Sequence, residues 1–210
     1  MSGVVVLISG RGSNLRALVE ARLPVRAVLS NQVQAAGLTY AREKGIPTGA
    51  IDHRDFASRA AFDEALAAAI EACSPELVVL AGFMRVLSSG FVARFRARLL
   101  NIHPSLLPAF TGLHTHARAL AAGVKIHGAT VHWVDEILDH GPILIQAAVP
   151  VLPGDDEAAL AARVLVQEHR IYPLAVRWML DGQIEQHGEC LRHRLGLAQY
   201  LWAGVPGSTQ

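Results

Sequence analysis

The stretch LNIHPSLLP, residues 100–108, sets an amide, Asn101, two positions before an imidazole, His103, and a proline follows at once. If LLNI is a strand, both residues stand at its carboxyl end, where open α/β sheets gather their ligands. An amide N–H and an imidazole N–H can converge on one oxygen, which is what a developing oxyanion needs. A histidine near neutrality can also move a proton. Asp139, in the later loop LDHGP, adds a carboxylate able to stabilise an imidazolium or relay that proton. The plainer possibility is that Asn101 and His103 satisfy turn backbone and Asp139 caps a turn. His114, His116, His127 and His132 are further candidates. The HTH spacing at 114–116 could suggest a metal, but no carboxylate stands at helical spacing beside it.

A second candidate is SGRGSNL, where Gly10 and Gly12 lead from an apolar run into Ser13, Asn14 and a helical pattern. Glycines let the backbone turn tightly and expose N–H groups, and the helix N-terminus adds partial positive charge, so the loop is a seat for an anion. A dinucleotide fingerprint would need glycine at position 15 and an acidic residue closing the second strand; the chain has Leu15 there, and Ser30 and Asn31. NAD is therefore not expected, and no GK[ST] follows to make a P-loop. A terminal phosphate held by Gly12, Ser13 and Asn14 remains, beside the alternative of an ordinary strand-to-helix turn capped by Ser13.

The elements that must position these residues are legible in the hydrophobic pattern. Strand-like runs at 4–9, 25–31, 46–52 and 76–83 alternate with helical patterns at 13–23, 35–45 and 58–73. Such alternation argues a doubly wound α/β fold with a mostly parallel sheet. Two longer strands at 126–134 and 143–151, joined by an acidic Gly/Pro loop, point to an antiparallel element in the C-terminal half. Asp155 or Asp156 can then cap a long helix over about 157–181. The tail from about 190 is weakly patterned, and disorder is expected at its end, GVPGSTQ.

At 210 residues, 51% hydrophobic and 18% charged, one folded domain is the default. A formal net charge of +1 gives no nucleic-acid footprint. The N-terminus lacks a basic leader, and no run approaches a membrane span, so a cytoplasmic protein is expected. The two cysteines, Cys73 and Cys190, lie far apart and outside any metal or redox spacing.

Seven segments, SGRGSNL, LAGFMRVLS, NIHPSLLP, GLHTH, HGATVHWV, LDHGPILIQ and QEHRIYP, occur in an order and spacing that resembles the phosphoribosylglycinamide formyltransferases, the folate-dependent enzymes of purine synthesis. The resemblance covers residues 4 to about 187. It implies a single formyltransferase domain over 1–210: a phosphate-holding half to about 100, a catalytic and folate-binding half over about 101–187, and a tail over about 188–210. It implies a catalytic trio of Asn101, His103 and Asp139. Gly12, Ser13 and Asn14 would hold the phosphate of glycinamide ribonucleotide, with Glu168 near that substrate. Met84, Arg85, Val86 and Leu87 would line the folate site, shared by Asn101, and Arg59 falls where the family has an arginine close to the folate tail. The co-substrate would be 10-formyltetrahydrofolate, with no metal, no nucleic acid and no membrane, in a monomer or homodimer. Two departures stand out: Ala109, Phe110 and Thr111 where relatives often carry a lysine and a proline, and a shortened ARLPVRAV before the second strand.

The implied chemistry is direct formyl transfer through a tetrahedral centre, since no serine or cysteine nucleophile is arranged for a formyl-enzyme. The alternative within the same chemistry is a formyltetrahydrofolate hydrolase or another formyl-folate transferase. The hydrolases carry an extra N-terminal domain and the tRNA-directed transferases a C-terminal one, and neither is expected here. A non-catalytic nucleotide-binding module is the rival of another class.

Overall fold

The computed structural model describes residues 3–204, which form two compact units: 3–101 with Trp133–Glu136, and 102–132 with 137–204. The expected disorder at GVPGSTQ falls on residues 205–210, outside the described residues.

The first unit runs β1 (Val4–Ile8), α1 (Ser13–Glu20), β2 (Val25–Ser30), α2 (Ala36–Glu43), β3 (Thr48–Ala50), α3 (Arg59–Ala72), β4 (Leu77–Leu80), α4 (Ser89–Arg94) and the start of β5 (Leu99–His103). VVVLI and LVVL are apolar at every position because strands inside a parallel sheet have no solvent face. Both are buried throughout. β1 pairs in parallel with β2 and β4, β2 with β3, and β4 with β5, giving the order β5-β4-β1-β2-β3. Val5, Leu7, Phe62, Leu66, Val78 and Phe95 pack into one core cluster, each large side chain contributing about 1.5–3 kcal/mol by leaving water.

Several ends fall short of expectation for backbone reasons. α1 stops at Glu20 because Arg22 turns left-handed at φ 57°, and β4 stops at Leu80 because Gly82 does so at φ 74°. α4, six residues behind a Ser88 cap, is an addition that the pattern of so short a segment did not reveal.

The second unit holds α5 (Thr115–Ala121), most of β6 (Ile126–Trp133), β7 (Ile143–Pro150), α6 (Glu157–Leu180), β8 (Ile184–His187), β9 (Cys190–His193) and β10 (Tyr200–Trp202). β6 and β7 pair antiparallel, as the two longer runs suggested. Asp156, not Asp155, caps α6 by accepting the Ala159 N–H at 2.7 Å. Asp155 instead accepts the Leu152 N–H at 2.7 Å and two Arg163 nitrogens at 2.6 and 2.8 Å. The region after α6 corrects the expectation of a weakly patterned tail: β8 and β9 form an antiparallel hairpin, and β10 adds to β7 in parallel. The fold is thus α/β and doubly wound, with a mostly parallel sheet and an antiparallel pair in the C-terminal half. Among the described residues no helix is long and apolar enough to cross a membrane.

Candidate active site

β5 ends at His103, and along it successive side chains alternate between the two faces of the sheet. Asn101 and His103, two apart, share one face; Asn101 is half-buried and His103 is buried. The His103 ring is oriented from both sides. Its Nε2 lies 3.0 Å from the Phe110 carbonyl, and a carbonyl only accepts, so Nε2 carries a hydrogen. Nδ1 then faces Asp139 Oδ2 at 3.4 Å, ready to present a second N–H to the carboxylate when the ring is protonated.

Asp139 reaches that position from a left-handed backbone, φ 55°, a conformation that aspartate tolerates better than most residues. Its Oδ2 also accepts the Gly112 N–H at 2.8 Å, and Oδ1 lies 3.9 Å from His132 Nε2. The structure therefore brings together His103 and Asp139, 36 positions apart by their numbering, through one loop and one turn.

The loop after β5 is held by residues that the sequence reading did not single out. Buried Thr130 accepts the Leu107 N–H at 3.0 Å and donates to the Ser105 carbonyl at 2.7 Å. Gln146 Nε2 donates to the Leu107 carbonyl at 2.9 Å and to Thr130 Oγ1 at 3.0 Å. Thr115 Oγ1 donates to the Pro104 carbonyl at 2.7 Å. A polar residue within the otherwise apolar GATV and ILIQA runs was the available signal. Further along, Phe110 and His114 are left-handed at φ 55° and 56°, and the Phe110 ring packs edge-on against His127.

His127 is buried and its Nε2 lies 3.2 Å from His116 Nδ1, so one ring donates and the other accepts. Burial, together with the neighbouring His116, pushes the His127 pKa down to about 4, against a smaller opposing effect of the Pro104 carbonyl. Burial lowers that of His116 as well. HTH thus supplies a hydrogen-bonding partner to another histidine. Among the described residues no group of three or more His, Cys, Asp or Glu could hold a metal ion.

At the amino end of α1, Gly12 occupies the cap position at φ 74°, with no side chain to satisfy the first-turn N–H groups. This corrects the alternative in which Ser13 is the cap; Ser13 is the first helical residue. Gly12 is required twice over, because a Cβ there would stand 2.9 Å from Gly37 Cα. Gly37, which sequence reasoning missed, donates its N–H to the Gly10 carbonyl at 3.0 Å and seats the loop against α2. Asn14 is buried and Ser13 half-buried.

The remaining residues sit in separate segments. Arg59 is exposed at the first position of α3, and Met84–Leu87 follow β4 without regular structure, with Met84 69% and Val86 55% exposed. All of these belong to the first unit, with Gly12, Ser13, Asn14 and Asn101; His103, Asp139 and Glu168 belong to the second. Glu168 is buried on α6, one turn before the fully buried Tyr172.

The chain is similar to known proteins in both sequence and fold. A family model described as "Formyl transferase" matches residues 2–176. The chain is 50% identical over 190 residues to the phosphoribosylglycinamide formyltransferase of Escherichia coli, covering 88% of this chain and 90% of that one. It is 49% identical over 179 residues to the Mycobacterium tuberculosis protein of the same name, covering 82% of each. Among solved structures, phosphoribosylglycinamide formyltransferase from Coxiella burnetii superposes with a TM-score of 0.90 at 43% identity, covering 96% of this chain and 98% of that one. Glycinamide ribonucleotide transformylase 1 from Symbiobacterium toebii gives 0.89 at 46%, covering 92% and 94%. A family match that begins before β1 and ends within α6 takes in every strand and loop described above as far as the long helix, and the chain belongs to the formyl transferase family.

Proposed function

We propose that this protein transfers the formyl group of 10-formyltetrahydrofolate to the amine of glycinamide ribonucleotide, giving formylglycinamide ribonucleotide and tetrahydrofolate in de novo purine biosynthesis. The observation that carries the reading is the pairing of buried His103 with Asp139 at the end of the strand that also bears Asn101, in a chain half-identical to an enzyme of that name. The protein works as a single formyltransferase domain in the cytoplasm, with the two substrates as its partners.

The amine attacks the formyl carbon and the carbonyl electrons move to oxygen, building a tetrahedral centre. The Asn101 side-chain amide and a protonated His103 donate to that oxygen. Nε2 of His103 is the free-facing donor once the formyl oxygen takes the place of the Phe110 carbonyl, while the Asp139 carboxylate stabilises the charge from the Nδ1 side. The attacking nitrogen then loses a proton and the folate N10 gains one, because an amine anion is a poor leaving group. Asp139, through His103 or a water, relays it. The oxyanion collapses, the bond from carbon to N10 breaks, and tetrahydrofolate leaves. Gly12, Ser13 and Asn14 hold the phosphate at the amino end of α1, so that binding energy remote from the reaction keeps the amine in attack geometry. Glu168 lies near the ribonucleotide. Met84, Arg85, Val86 and Leu87 line the folate site with Asn101, Arg59 stands near the folate tail, and the exposed Met84 and Val86 side chains suit an apolar ring system.

The test is spectrophotometric release of tetrahydrofolate with and without glycinamide ribonucleotide, on wild type and His103→Ala. Release that requires the ribonucleotide and collapses in the variant is expected. Release without the ribonucleotide would make the protein a hydrolase, and binding without turnover a nucleotide-binding module.

A further inference from the structure

The irregular segment Met84–Leu87 is held at both ends by side chains from elsewhere in the first unit. At its start, Ser9 Oγ accepts the Met84 N–H at 2.8 Å. The hydroxyl has one hydrogen and donates it to Asn31 Oδ1 at 2.6 Å, so its lone pair is aimed rather than free to rotate. The Ser9 backbone N–H donates to the Gly82 carbonyl at 3.1 Å, fixing the same approach a second time. At its end, Asp63 Oδ2 accepts the Ser88 N–H at 2.8 Å. Asp63 is 4% exposed, on α3 and next to Phe62, whose ring lies under the Arg85 guanidinium at 5.7 Å. Between these anchors the segment has no regular secondary structure of its own, and it carries two of the chain's exposed large apolar side chains.

A segment without a ladder keeps its shape only through such tethers, since each loose residue regains about 1–2 kcal/mol of backbone entropy. We infer that Ser9 and Asp63 are positioning residues for folate binding: they touch neither substrate but hold Met84–Leu87 in the shape that receives the folate. This rests on the reading of Met84–Leu87 as the folate-lining stretch. Ser9 follows the last residue of β1 and lies three positions before Gly12, so its hydroxyl reaches the folate-lining segment from the strand that leads into the phosphate loop.

The test is steady-state kinetics on Ser9→Ala and Asp63→Ala, with Ser9→Thr and Asp63→Asn as variants that keep an acceptor, and hydrogen exchange at the Met84 and Ser88 amides. Expected for the alanine variants is a rise of about tenfold in KM for 10-formyltetrahydrofolate, with kcat and KM for the ribonucleotide changed less than about twofold. The acceptor-keeping variants restore most of the loss. Exchange of the Met84 amide quickens in Ser9→Ala and that of the Ser88 amide in Asp63→Ala, a readout independent of turnover. An unchanged folate KM in a folded variant, an equal rise in both KM values, or no recovery with threonine or asparagine would overturn the inference. Should one alanine variant fail to fold, the other decides. Wild-type protein that exchanges slowly at both amides but transfers no formyl group would refute the proposed function while leaving the tethers intact.

Discussion

Acidification from pH 7 to pH 5 should weaken this fold through one buried ring, His127, and its half-buried neighbour His116. His127 has an ordinary pKa of 6.5 in the unfolded chain and about 4 in the fold, where burial and His116 disfavour its charged form. A folded pKa below the unfolded one means that the stabilisation is present above about pH 6.5 and is lost as the pH falls toward about 4. At pH 5 the unfolded imidazole gains about thirtyfold in proton-binding weight over the folded one, which corresponds to about 2 kcal/mol, against about 0.2 kcal/mol at pH 7. The geometry supplies the reason: the His127 ring is buried, and its Nε2 lies 3.2 Å from Nδ1 of His116, so a charge on it loses hydration and faces any charge on the neighbouring ring. Urea unfolding followed by tryptophan fluorescence at pH 7, 6 and 5 measures the slope. His127→Gln should cost about 1–2 kcal/mol at pH 7 for the disturbed pair but flatten the dependence between pH 7 and 5 by roughly the amount above. A variant that folds and keeps the wild-type slope would refute the assignment to His127.

Other outcomes follow from the site and its supports. Gly12→Ala should destabilise by about 1–3 kcal/mol and raise KM for the ribonucleotide, because its φ of 74° and a 2.9 Å approach to Gly37 leave no room for a Cβ; thermal melts and kinetics check both. Asp139→Asn should lower kcat by about 10²–10³ with little change in either KM, measured by single-turnover formyl transfer. Thr130→Val removes a hydroxyl that serves three hydrogen bonds, and should cost about 2–3 kcal/mol in denaturant unfolding and more than Thr130→Ser. Asp155→Ala, which breaks a bidentate pair with Arg163 and a turn bond to Leu152, should lower stability at pH 7; since Arg163 depresses the Asp155 pKa, the difference from wild type should shrink only as the pH falls below the usual carboxylate range.

The parts of the fold that sequence reveals are those with a repeating physical cause. VVVLI and LVVL are strands because nothing polar interrupts them, and SRAAFDEALAAAIEAC is a helix because its apolar residues recur at helical spacing and a serine stands before them. Asn101 and His103 were legible as a strand-end pair for the same reason. What was not legible depends on contacts distant along the chain. That Thr130 and Gln146 would grip the Ser105 and Leu107 backbone cannot be read from a threonine and a glutamine in two apolar runs. Gly37 looks like any glycine early in a helix until Gly12 is found against it. β8, β9 and β10 are three or four residues each, too short for alternation to rise above chance, and their pairing partners define them.

The left-handed backbone at Phe110 and His114 bears on engineering for robustness. Residues with a Cβ at such φ values store of order 1 kcal/mol each, and glycine at either position would release it. A designer ranking substitutions by stability alone would choose them early. Yet the Phe110 carbonyl is what selects the hydrogen-bearing nitrogen of His103, and the Phe110 ring rests on His127. A glycine keeps that carbonyl but loses the ring and frees the backbone that aims it, so a hardier protein obtained there would hold its key imidazole less firmly, and thermal tolerance and turnover are set in opposition along these few residues of loop.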